Sequence, residues 1–154
     1  MNVYTEALHR ALPRLLSSFN ADSTSTLSGV GDRYHWAWKL IDFPNGTFQG
    51  AVHGLAILIS IDELPDTLTR AGLLKQLNLA IQGLKAITAK NGGLDEALPG
   101  ESSLCVTALV ASDVLAARSI LGDSLTVSEQ SEWLEVVRPL IRFLMKQDEH
   151  HGLI

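Results

Sequence analysis

The chain has 154 residues, a formal net charge of −5, a hydrophobic fraction of 46% and one cysteine. Such a length fits a single domain with a sizeable core, and a lone cysteine excludes an intramolecular disulfide, in keeping with a reducing, cytoplasmic setting. The 12 basic residues are scattered among 17 acidic ones, without the cationic stripe of a nucleic-acid binder. MNVYTEALHR lacks the basic-then-apolar order of a signal peptide. The longest apolar run, Leu55–Ile61, is broken by Ser60 and is too short for a bilayer, so no membrane span is expected.

Residues 3–19 repeat Tyr4, Leu8, Ala11, Leu12, Leu15 and Phe19 at helical spacing. Pro13 removes an amide donor and is expected to kink or restart that helix. Residues 20–31, small, polar and glycine-containing, read as a loop. Arg33–Phe43 reads as a short helix closed by Pro44 and the turn pair Asn45-Gly46. Thr47 is expected to cap a helix through about Ser60, on which Gly50 and Gly54 admit a close neighbour.

Beyond Leu64-Pro65-Asp66, the spacing of Leu74, Leu77, Ile81, Leu84 and Ile87 predicts a long helix stopped by Asn91-Gly92-Gly93. LDEALPGE is irregular, and Ser102 or Ser103 caps LCVTALVASDVLAARSIL, which Gly122 ends. Thr126 with Glu129 forms a capping-box pattern opening a helix with Trp133, Val137, Leu140, Ile141 and Leu144, kinked at Pro139. No segment sustains period-two alternation. The expected class is all-α.

Helix, glycine turn and helix recur about every fifty residues, the pattern of a helical-hairpin array. FLMKQDEHHGLI resembles the repeat of the squalene-cyclase and prenyltransferase group, in which a helix ends with Gln before a short acidic loop and a Gly. NGGLDEALPGESSLCVTALV is similar to the following half of that repeat. The resemblance implies antiparallel α-hairpins of an α/α toroid, a fold that also carries polysaccharide lyases, glycosidases and sugar epimerases. The clustered aspartates of the terpene cyclases are absent, as is the Asp, Cys and His set that holds zinc in protein prenyltransferases. Because a closed toroid takes about six hairpins, residues 1–154 are expected to be a single α-hairpin domain forming the N-terminal portion of a longer toroid. A missing C-terminal half or homo-oligomerisation would then cover an open apolar end.

The candidate chemistry gathers in DRYHWAWKLIDFPNGTFQGAVHGLA, which holds five of the nine aromatics. On a helix, His35, Trp38, Lys39 and Asp42 share one face, with Trp36 on another. Rings beside charged groups suit a sugar, whose apolar face stacks while its hydroxyls bond. Tyr34, His35, Trp36, Trp38, Asp42 and Gln49 are therefore the candidate substrate-binding residues, and His53 and Glu96 the candidate catalytic residues, His53 for acid/base work and Glu96 as a carboxylate that also contacts hydroxyls. Each has a plainer reading: solvated helix surface, a core histidine on a carbonyl, or a carboxylate near a helix N-terminus. Glu101 reads as such a dipole partner, and Asp113 stands alone in its apolar helix.

The consecutive Asp148, Glu149, His150 and His151 do not converge on one ion, so no metal is predicted, nor any other cofactor. No phosphate loop, nucleophile elbow or dinucleotide fingerprint is present. The expected function is action on, or binding of, an oligosaccharide or other small molecule, of polysaccharide lyase or glycoside hydrolase type. The alternatives are an isoprenoid-binding or terpenoid-cyclase-like protein and a non-catalytic helical interaction scaffold.

Overall fold

Side-chain caps start three of the long helices. Thr69 Oγ1 accepts from the Gly72 amide, Ser103 Oγ from the Val106 amide, and Thr126 Oγ1 from the Glu129 amide. Glu129 reciprocates at the Thr126 amide, completing the capping box read from the sequence. Each bond satisfies a donor without an intrahelical acceptor.

A computed structural model describes residues 3–31 and 44–147. In chain order it contains α1 (Val3–Ser17), a 3-10 turn (Gly46–Gly50), α2 (Ala51–Ile61) and α3 (Arg70–Ile87). The two-residue strands β1 (Leu94–Asp95) and β2 (Ser102–Ser103) follow, paired antiparallel, then α4 (Leu104–Leu121), a short 3-10 turn (Gly122–Ser124) and α5 (Val127–Leu144). The protein is mainly helical.

Cross-helix contacts give the arrangement. Arg70, at the start of α3, donates to the Ile59 carbonyl at the end of α2 and to Ser124 just past α4. Arg118, late in α4, donates to the Gln130 carbonyl early in α5. Asn78 of α3 meets Glu129 and Trp133, and Gln82 one turn on meets Glu132. These pairings define two antiparallel hairpins, α2/α3 and α4/α5, stacked in the same sense, so that α2 lies beside α4 and α3 beside α5. Between them the core is aliphatic: Leu55, Ile59, Leu77, Ile81, Leu84, Val110, Val114 and Leu140 are buried, with Trp133 the largest enclosed side chain.

Several boundaries differ from expectation. The turn before α2 is capped by Asn45, whose Oδ1 accepts from the Thr47 amide, and not by Thr47 itself. Helix α3 stops at Ile87, where Thr88 turns extended and bonds back to the Leu84 carbonyl; Asn91-Gly92 forms a separate turn with Gly92 at φ +93°. On α1 only part of the expected stripe is used. Leu12 and the following Phe19 are buried, whereas Tyr4 is 82% exposed and Leu8 is also outside. That helix docks through polar contacts, Thr5 to the Glu63 carboxylate and His9 to the Glu63 carbonyl. It runs unbroken through Pro13, which is exposed. Pro139 is likewise inside a continuous α5.

By length and composition Leu104–Ser124 is long and apolar enough to cross a membrane, which the sequence reading overlooked. Within this fold its Val106, Val110, Val114 and Ala117 face the neighbouring helices and are buried.

Candidate functional site

His53 occupies the first turn of α2, which faces the middle of α4. There its Nδ1 lies 3.0 Å from Asp113 Oδ1. Gly50 makes the approach possible: a Cβ at that position would stand 2.5 Å from Asp113 Oδ2. The imidazole side chain is 37% exposed and the carboxylate 19%, so the pair sits at the rim of the helix layer.

An ionised carboxylate only accepts, so the proton between the two belongs on His53 Nδ1. In the neutral ring, Nε2 is then the basic nitrogen. It has no hydrogen-bond partner among the described residues, and nothing described lies within 4 Å of where a side chain at Gly54 would begin. An oriented imidazole whose second nitrogen is unpartnered among the described residues can accept or return a proton. Asp113, for which the sequence offered no role, is the residue that orients it.

Gln49 is not available for ligand. It is buried, its Oε1 accepts from the Gly31 amide at 2.6 Å, and its Nε2 donates to the carbonyls of Gly29 and Ala80. All of its amide hydrogens and its oxygen are thus engaged in fastening the loop before Gly31 to α3. The hydroxyl-contact role expected for it gives way to a structural one, because a buried amide with these partners would lose them to reach a sugar.

Glu96 is not brought to His53. It is exposed and accepts from Ser103 Oγ at 2.8 Å, the cap of α4. Asp113 lies ten residues further along the helix, about 15 Å at the usual rise. Carboxyl groups that share a glycosidic bond lie about 5–9.5 Å apart in glycosidases, so Glu96 and the His53–Asp113 pair are set at different places along α4.

Asp95 closes the β1–β2 hairpin through its Oδ2 and the Gly100 amide, 2.6 Å apart, while its Oδ1 is buried without a partner among the described residues. Glu101 is exposed. Tyr34, His35, Trp36, Trp38, Lys39 and Asp42, and the run Asp148–His151, lie outside the described residues. Among the described residues no group of three or more His, Cys, Asp or Glu side chains is placed to hold a metal ion, and Cys105 is free and exposed.

Comparison with protein-family models, with curated proteins and with solved structures finds no match to this chain.

Proposed function

We propose that this protein binds and processes a carbohydrate, with His53 as general base and Asp113 as the residue that positions it. The hydrogen-bonded His53–Asp113 pair, with Nε2 unpartnered among the described residues, carries the reading. In a lyase-type reaction His53 Nε2 takes the C5 proton next to a uronate carboxyl group, the C4–C5 double bond forms as the C4–O bond breaks, and the imidazolium or solvent returns a proton to the departing oxygen. In a hydrolase Nε2 takes a proton from the water that attacks C1 as the C1–O bond breaks, and solvent protonates the departing oxygen. The stacked α2/α3 and α4/α5 hairpins are, on this proposal, the opening units of an α/α toroid. Tyr34, Trp36 and Trp38 are the stacking rings nearest in sequence. Chemistry on other grounds would require a different base, since Glu96 is committed to the cap of α4.

The test is incubation of the whole chain with a panel of uronic-acid-containing and neutral oligosaccharides. Products are followed by the ultraviolet absorbance of an unsaturated sugar and by reducing ends. Activity that is lost in His53→Ala, and reduced about 10²–10⁴-fold in Asp113→Asn with the fold intact, supports the proposal. Turnover that survives His53→Ala overturns it. Quenching of tryptophan emission by farnesyl compounds alone would favour the isoprenoid alternative instead.

One observation favours a scaffold as a second reading. Ile57 and Ile61 on α2 and Leu109 on α4 are 41%, 52% and 48% exposed, more apolar side chain than a solvated helix surface needs. Self-association that disappears on substitution of Ile57 and Ile61 by Ser, in a chain inert toward every saccharide, would be its signature.

A further inference from the structure

A concave site lies in the other layer of the molecule, formed by α3 and α5. A cavity of about 490 Å³ opens between the C-terminal end of α3 with its following turn and the last turns of α5. That volume falls in the range of small-molecule sites. Four of the chain's 12 Lys and Arg residues line it: Lys85, Lys90, Arg142 and Lys146. The two carboxylates there are already engaged. Glu135 pairs with Arg138 at 3.0 Å, and Glu132 accepts from Gln82. None of the four cations has an ion-pair partner among the described residues.

Cations at helix C-termini are ordinary partners of the helix dipole. That accounts for Lys85 and Arg142, in the last turns of α3 and α5. It does not account for Lys90 and Lys146, which lie beyond the helix ends, nor for their convergence on one hollow. The hollow also has a fixed shape. Gly92 packs directly on the Pro139 carbonyl, and the Ala89 and Gly92 amides donate within the turn, to Gly93 and Ala89 carbonyls at 2.9 and 2.8 Å. Val136 and Pro139 add an apolar wall.

We propose that this pocket binds an acidic saccharide, its carboxylate or sulfate groups meeting Lys90, Arg142 and their neighbours and its ring resting on Val136 and Pro139. The saccharide class rests on the function proposed above; the requirement for an anion rests on the pocket alone. Because α3 runs opposite to α2, the pocket opens at the same end of the hairpins as His53. An acidic polymer held here is therefore kept near that end.

Calorimetric titration of the whole chain tests this with oligogalacturonate tetramer, neutral maltotetraose and inorganic sulfate. The tetramer is expected to bind at low ionic strength, to weaken as salt is added, and to lose about tenfold in affinity in Lys90→Gln/Arg142→Gln. Equal affinity in the double variant, no measurable binding of the tetramer, or sulfate binding as tightly as the tetramer would each overturn the proposal. Binding that depends on Lys90 and Arg142 in a chain without any turnover would sink the role of His53 while leaving this pocket standing.

Discussion

A Cβ on Gly83 would press on the backbone of Gly29 and Val30, because the loop before Gly31 lies directly on α3 at that point. Gly83→Ala should therefore cost about 1–3 kcal/mol, read as a lowered Tm with an unchanged helical spectrum. Gln49 secures the same contact. Gln49→Leu leaves the Gly31 amide and the Gly29 carbonyl without the partners Gln49 supplies and removes the side-chain bond to the Ala80 carbonyl, and a loss of about 2–3 kcal/mol in denaturant unfolding is expected. Neither role is visible in the sequence. Gln49 and His53 stand one turn apart in the same polar-aromatic run and look alike as ligand groups. Burial separates them, and the partners that decide it lie 18–60 positions away. The His53–Asp113 bond joins groups 60 residues apart; a lone imidazole and a lone carboxylate carry no local pattern that pairs them.

Local chemistry is where the sequence is most legible, and the start of α5 shows why. The Thr126 and Glu129 side chains close a box on each other's amides, a pattern written within four residues. Its bonds hold the Glu129 carboxyl below the ordinary glutamate value, chiefly through the Thr126 amide. A carboxyl lowered in the folded state adds stability above its unfolded value and loses it as pH falls through the folded one. Thr126→Ala should cost about 1 kcal/mol at neutral pH. Glu129→Gln should flatten the decline of stability on acidification, measured by urea unfolding at pH 7 and in the acid range. The other caps at Ser103 and Gly122 were equally plain, being local. The β1–β2 pair was not, since two residues per strand cannot show alternation. Nor was the half-used face of α1. Its spacing is helical, but which turns of it are covered depends on where Glu63 and the core lie.

At the scale of the whole molecule, the two hairpins are tied through polar contacts as well as through the aliphatic core. Asn78 accepts from Trp133 Nε1 at 2.8 Å and donates to Glu129, so one α3 side chain addresses both the first turn and the centre of the buried face of α5. Trp133 is only 1% exposed, and replacing Trp36 and Trp38 leaves it as the one indole reporter among the chain's three tryptophans. In Trp36→Phe/Trp38→Phe the remaining emission should lie at short wavelength and resist quenching by iodide, as a ring enclosed between α3 and α5 requires. Adding Asn78→Ala to that variant removes the indole's acceptor. A cost of about 1–2 kcal/mol is expected, with the emission still blue because the apolar enclosure persists. Red-shifted, iodide-sensitive emission in the double Phe variant would mean that α5 does not pack on α3, and the parallel stacking of the hairpins would fall with it. The same variant divides the ligand signals. Saccharide quenching that vanishes in Trp36→Phe/Trp38→Phe arises from the aromatic run, whereas quenching that persists arises at Trp133.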